Sequence, residues 1–118
     1  MIKLVAFDLD GTIADTIPMC IEAFKQAVSP YASKILSEND IVKTFGLNEE
    51  GMIKEVVSED WEKALIDFYV IYKEMHTVYI QPFVGIRELI TELKKNSIIV
   101  SLITGKGQRS CDLSLIHI

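Results

Sequence analysis

No stretch of this chain approaches the roughly 18 apolar residues needed to span a bilayer. Residues 1–7 form a short apolar run that meets Asp8 at once, unlike a secretory leader. The expectation is therefore a cytoplasmic protein with no membrane partner. Basic patches are also missing. Lys and Arg number 12 against 17 Asp and Glu, a formal net charge of -5, so the electrostatic footprint of a nucleic-acid partner is absent. An acidic protein that handles anions must attract them locally, through a metal ion or oriented amides. Cysteine is scarce: Cys20 and Cys111 are the only two, and they share no metal-ligand spacing. Two reduced thiols are the default reading. No internal repeat or low-complexity segment is visible. The 118 residues, 49% hydrophobic and 25% charged, suit about one ordinary globular domain.

The apolar residues fall into strand and helix patterns. Residues 2–9 read as a buried aliphatic strand that stops at Asp10, Gly11 and Thr12, where glycine permits a sharp change of direction. Asp15 or Thr16 is placed to cap a helix with Pro18 in its first turn. Ile17, Cys20, Ile21, Phe24 and Val28 give that helix one apolar face, and Ser29 and Pro30 end it. Over 31–58 the pattern predicts short helices joined by polar turns. Ser37 is a cap there, Ile41, Val42 and Phe45 form a small apolar patch, and Gly46 and Asn48 mark a break. Met52, Ile53, Val56 and Val57 make another stripe. The clearest helix covers about 59–76, where Trp61, Ala64, Phe68, Tyr72 and Met75 keep helical period. Spacing alone makes this aromatic stripe core and not a ligand box.

Residues 81–85 read as a connector. Ile86, Leu89, Ile90 and Leu93 follow as an amphipathic helix ending near Lys95 and Asn96. A second strand, 98–103, runs into Thr104, Gly105, Lys106 and Gly107, and a further helix begins within 108–115. Strand, helical insert, helix, strand and helix start predict an α/β fold with parallel pairing through a right-handed crossover.

The chemistry concentrates at Asp8-Leu9-Asp10-Gly11-Thr12. Two carboxylates two residues apart project to one side if strand geometry persists, with Leu9 turned into the core. They also sit at the carboxyl end of a strand, where open α/β sheets bind ligands. Like charges so close resist joint ionisation, and a divalent cation or one proton relieves that cost. A metal-bound Asp8 can attack phosphorus while Asp10 carries a proton for the leaving alkoxide. The bland alternative is a loop whose aspartates serve turns and a helix cap. The preceding aliphatic run, completed by Gly11, Thr12 and Asp15, argues against it.

The segment Phe7-Asp8-Leu9-Asp10-Gly11-Thr12-Ile13-Ala14-Asp15-Thr16 resembles the first motif of the haloacid dehalogenase superfamily, in the form used by its phosphoglycolate-phosphatase-like branch. The resemblance implies that Asp8 is the nucleophile forming an aspartyl-phosphate, and that Asp10 is the general acid and then the base. It implies Mg2+ held by the Asp8 carboxylate and the Asp10 main-chain carbonyl, with the phosphate wrapped by amides near Leu9 and Asp10. Gly11 and Thr12 belong to the same phosphate-binding turn. Thr104 is similar to the second motif, a hydroxyl at the end of the next core strand, with Gly105 and Lys106 beside it at an anion-favouring helix start. For Lys106 the favoured reading is a surface lysine at a helix start, ahead of a partial stand-in for a catalytic cation.

The implied architecture is a Rossmann-like parallel-sheet core, of which only two strands are present, with an inserted all-helical cap. Core residues are 1–14 and 82–112, and the cap is 15–81. Such caps exclude water and select the substrate. The implied function is Mg-dependent hydrolysis of a small phosphorylated metabolite, with phosphoglycolate as the first guess. A phosphosugar mutase shares the Asp8 chemistry, although Thr12 favours the phosphatase; a non-catalytic fragment or pseudoenzyme is the reading from another class. A receiver domain also phosphorylates a strand-end aspartate but lacks room for this long insert.

The resemblance covers the first half of such an enzyme. The third motif (a lysine) and the fourth (an acidic pair) are not found after Lys106. Residues 113–118, Leu-Ser-Leu-Ile-His-Ile, resemble the translation of a transposon-end adapter used for sequencing libraries, and are set apart as a non-native tail. His117 is therefore a poor catalytic candidate, and His76, near a helix end, reads as a capping or solvent-facing residue. Two parallel strands cannot bury both sheet faces. The 118-residue chain by itself is expected to be unstable or to aggregate, with little phosphatase activity.

Overall fold

Alternation along the first strand decides how the sheet sits. The computed structural model describes residues 1–117, without the side chains of Val78, Tyr79 and His117. The reading of His117 as a poor catalytic candidate lies outside the described residues. Strand β1 (Leu4–Phe7) runs parallel to β2 (Ile99–Leu102), with Leu4 opposite Ile99 and Phe7 opposite Leu102. Val5, Phe7, Val100 and Leu102 pack in one cluster with Ile86, Ile90 and Leu93 of helix α5 (Ile86–Lys95); numbering of the helices follows chain order. Leu4, Ile99 and Ile103 remain 52%, 62% and 68% exposed. The expected buried strand over 2–9 is thus corrected to Leu4–Phe7. Pairing within β1 ends at Phe7, and helices cover one face only.

Between the strands the chain first makes helices α1 (Ile17–Val28), α2 (Glu38–Val42), α3 (Glu49–Val56) and α4 (Trp61–Tyr79). They enclose a core of their own, around Phe24, Val28, Ile41, Ile53, Phe68 and Tyr72. Phe68 stacks on Tyr72 at 5.1 Å and meets Phe24 edge-on at 6.1 Å between ring centres. Aromatic pairs of this geometry contribute about 0.5–1.5 kcal/mol beyond the area they bury. The stripe in α4 is therefore core, as its period predicts. In α1 the buried face comprises Met19, Ala23, Phe24, Ala27 and Val28. The expected face shared Phe24 and Val28 with it, but Ile17 stands exposed beside a cavity. Likewise Val42 and Phe45 are exposed, and only Ile41 of that expected patch is buried. Ser37 caps α2 as expected, accepting from the Asp40 amide at 3.1 Å while Asp40 accepts from the Ser37 amide at 2.9 Å.

The helical insert leaves and returns at one place. Ala14 bridges both Asp10 and Pro82, and the Phe83 N–H donates to the Ile13 carbonyl at 2.8 Å. After β2 the chain enters α6 (Gln108–His117), which packs against α4. That packing corrects the reading of His76 as solvent-facing. His76 is 2% exposed; its Nδ1–H donates to the Tyr72 carbonyl at 2.6 Å, and Nε2 faces the Ser114 hydroxyl at 2.8 Å. Two cores side by side give an elongated body of 52 × 27 × 22 Å.

Candidate active site

The loop after β1 is built around one carbonyl. Amides of Thr12 and Ile13 donate to the Leu9 oxygen at 3.2 and 3.0 Å, and Gly11 donates to Ala14 at 2.8 Å. Leu9 itself is fully buried and anchors the loop to the sheet core. Gly11 adopts φ +77°, and a Cβ there would approach the Ile17 Cδ1 at 2.9 Å. Only glycine meets both demands without strain. This tight turn leaves Asp8 exposed and Asp10 half-buried on the same cavity. The Asp8 Oδ1 accepts from the Leu9 amide at 2.8 Å.

The cavity, about 290 Å³, is lined by Asp8, Asp10, Thr104, Gly105 and Lys106 on the sheet side. Thr104, Gly105 and Lys106 thus come to Asp8 and Asp10 from a distant part of the chain. Leu9, Gly11 and Thr12 do not line it: Leu9 faces the core, and the other two shape the turn. Thr104 Oγ1 accepts from the Lys106 amide at 3.1 Å, which orders the turn after β2.

Lys106 is no surface lysine. Its side chain is 4% exposed, and Nζ donates to Asp10 Oδ1 at 2.9 Å, to Ser114 Oγ at 3.1 Å and to the Tyr72 hydroxyl. The ammonium also lies 4.6 Å from the Tyr72 ring centre. Helix α4 and the turn after β2 together close around it, which no local pattern could signal. Ser114, within the segment set apart as a tail, is fully buried in this network. Breaking one side of a buried ion pair leaves an uncompensated charge. Lys106→Met should lower stability by about 2–4 kcal/mol, somewhat under the value for a fully buried pair because Asp10 keeps solvent contact. A urea melt measures this, and a loss under about 0.5 kcal/mol would show that solvent replaces the ammonium.

Three further residues escaped the sequence reading. Thr16, fully buried, donates its hydroxyl to Asp10 Oδ1 instead of capping α1 through its side chain. Glu49, in the first turn of α3, is buried and accepts from the Gly107 amide at 2.9 Å. A side chain at Gly107 would collide with that carboxylate. Tyr72 has its phenol pushed up, by burial first and then by the acidic groups nearby, so the hydroxyl stays neutral over the working pH range. Thr16 lies inside the quoted motif; for Glu49 no local signal exists.

Cys20 and Cys111 are both free thiols. Burial pushes Cys20, on the cavity wall, up to about 12. The folded state therefore favours the neutral thiol, and that contribution to stability is full below about pH 9 and lost as pH rises toward 12. At pH 8 a thiolate-directed alkylating reagent should modify Cys20 at least about tenfold more slowly than in urea-unfolded chain. Equal rates would contradict the burial.

Among the described residues, no group of three or more His, Cys, Asp or Glu could hold a metal ion by itself. The donor set fits magnesium nonetheless. That ion keeps several waters and binds through one or two carboxylates together with a substrate phosphate, and Asp8 and Asp10 share the cavity as hard oxygen donors. Among the described residues no helix is long and apolar enough to cross a membrane.

A carboxylate-bearing loop after one parallel strand, a Thr turn after its neighbour and a helical insert between them define a Rossmann-like parallel-sheet core with a helical cap. Residues 5–118 match the haloacid dehalogenase-like hydrolase family, and the chain belongs to it. Among curated relatives, pyrophosphatase PpaX of Bacillus mycoides (strain KBAB4) is 23% identical over 114 residues, covering 97% of this chain and 53% of that protein. A hydrolase from Pseudomonas syringae superposes with a TM-score of 0.81 at 23% identity, over 99% of this chain and 55% of that one. A predicted phosphoglycolate phosphatase from Haemophilus somnus 129PT superposes at 0.73 with 22% identity, over 92% and 53%. The chain spans about half the length of the curated relatives it matches.

Proposed function

We propose that this chain carries the nucleophile half of a magnesium-dependent phosphatase acting on a small phosphate monoester. Asp8 attacks phosphorus, the ester oxygen leaves with a proton from Asp10, and the aspartyl-phosphate is then hydrolysed by water that Asp10 deprotonates. The observation that supports this reading best is the meeting of Asp8, Asp10 and Thr104 on one cavity at the carboxyl ends of two adjacent parallel strands. Asp8 is exposed to an incoming ester, whereas Asp10 is held in place by Thr16 and Lys106. Such a division suits one carboxylate that attacks and one that moves protons. Thr104 offers a hydroxyl to a phosphoryl oxygen. The Asp8 carboxylate and the Asp10 main-chain carbonyl would hold magnesium, which would neutralise phosphoryl charge when bound.

Residues 15–81 act as the cap, and 1–14 with 82–112 as the core. The insert's separate hydrophobic cluster supports that division, as does the placing of Phe45, Leu47, Glu49 and Met52 over the cavity. The relatives' names support phosphoryl esters and anhydrides as the substrate pool, with phosphoglycolate the first ester to assay. Residues 1–118 alone should have little activity and a tendency to associate, because Leu4, Ile99 and Ile103 stand uncovered on the sheet.

The test is release of inorganic phosphate by the full-length protein from a panel of esters, with magnesium and after chelation. Magnesium-dependent release from at least one ester is the expected result. Isomer formation without release would point to a mutase, and no turnover of any ester would overturn the catalytic reading.

A further inference from the structure

We infer that Glu49 is a positioning residue: from the helical insert its carboxylate docks on the Gly107 amide and steadies the turn that presents Thr104 to the cavity. The inference rests on the phosphatase reading and deepens it to how the insert governs the site. Gly105 and Gly107 flank Lys106, so the turn over 104–107 has little stiffness of its own. Two hydrogen bonds fix it. The Lys106 amide donates to Thr104 Oγ1 at 3.1 Å, and the Gly107 amide donates to Glu49 Oε2 at 2.9 Å. The first bond is local. The second joins α3 to the core turn, 58 positions apart in the chain.

Each partner of that second bond needs the other. Glu49 is 6% exposed, and a carboxylate taken out of water loses hydration that a hydrogen bond must offset. The fit is steric as well. A Cβ on Gly107 would overlap Glu49 Oε2, and the nearest atoms it would meet all belong to the Glu49 carboxylate. Gly107 has no positive φ, so an alanine suits its backbone and displaces only the flexible end of Glu49. The contact can therefore be broken from either side without strain elsewhere. Glu49 also lines the cavity with Phe45, Leu47 and Met52 of the insert, so docking it seats that wall against Asp8 and Thr104. Cys20, in α1 on the same lining, reports whether the wall is seated.

In the full-length protein, alkylation of Cys20 would be followed by mass spectrometry, with Cys111 of the sheet cluster as the gauge of general loosening. Glu49→Ala and Gly107→Ala should each speed Cys20 modification by about tenfold, the scale of losing a charge-assisted hydrogen bond. Glu49→Gln keeps an acceptor oxygen and should stay within about threefold of the parent. The double variant should be no faster than the faster single one, because both break one contact. With magnesium, kcat/KM for any ester the parent hydrolyses should fall about tenfold in E49A and G107A, since Thr104 is then misplaced. A Cys20 rate unchanged in either single variant, multiplied effects in the double, or an equal rise at Cys111 would overturn the inference. So would E49Q behaving like E49A, or an undiminished kcat/KM in both single variants. If no ester is turned over, the phosphatase reading falls and Thr104 loses its role, whereas the Cys20 pattern still decides whether Glu49 docks the insert.

Discussion

Replacing Asp8 by Asn in the full-length protein should lower phosphate release by at least about a thousandfold, with no loss of folded structure. The expected size follows from what the residue does in the proposed reaction. Removing a nucleophile abolishes the covalent route, and what remains is the catalysis available from binding and oriented donors alone. The fold should survive because Asp8 is exposed and its one described hydrogen bond is accepted from the neighbouring Leu9 amide. An asparagine oxygen can accept the same bond. Steady-state phosphate release and a far-ultraviolet circular dichroism melt test the two halves separately. Activity within tenfold of the parent would remove Asp8 from the nucleophile's role. A melt lowered by several degrees would mean that the carboxylate also supports the loop.

The second large effect concerns stability. Phe68→Ala should cost about 3–5 kcal/mol, the range for deleting a fully buried aromatic side chain. Phe68 has no exposed surface, and its ring is fixed between Phe24 and Tyr72. The cavity cannot easily collapse, because α1 and α4 are held along their length by further buried residues such as Ala23, Val28 and Ala64. Damage should also reach the site. Tyr72 stacks on Phe68 and accepts from Lys106, which in turn holds Asp10. A denaturant melt of F68A against Phe68→Leu separates lost volume from lost ring geometry; a cost under about 1.5 kcal/mol for F68A would show that the helices close over the gap.

Much of the fold was legible because its determinants are local. The period of Trp61, Ala64, Phe68 and Tyr72 marks α4 whatever the rest of the chain does. Ser37 announces the start of α2 through a capping box whose partners lie three residues apart. The strand at 99–102 needed only its aliphatic run and the turn after it. Boundaries were less legible, as β1 shows, because where pairing stops depends on the length of the partner strand.

The site divides along the same line. Asp8, Asp10, Gly11 and Thr104 could be read from strand ends and turns, since each is defined by its position relative to one element. Lys106 was misjudged as to its surroundings, because its ion pair joins residues 96 positions apart. Its burial is created by α4 and α6 closing around it, and His76 is enclosed by the same packing. Glu49 carried no signal because a glutamate in the first turn of a helix is ordinary. It becomes notable only when tertiary folding lowers α3 over the cavity and sets its carboxylate on the Gly107 amide. By itself, then, the sequence determined the order of elements, the carboxylate pair and the family, all properties of short segments with fixed spacing. Which charges are buried, which partners they meet and which residues line the cavity were decided by the tertiary structure alone. Those depend on desolvation and on contacts between segments far apart in the chain.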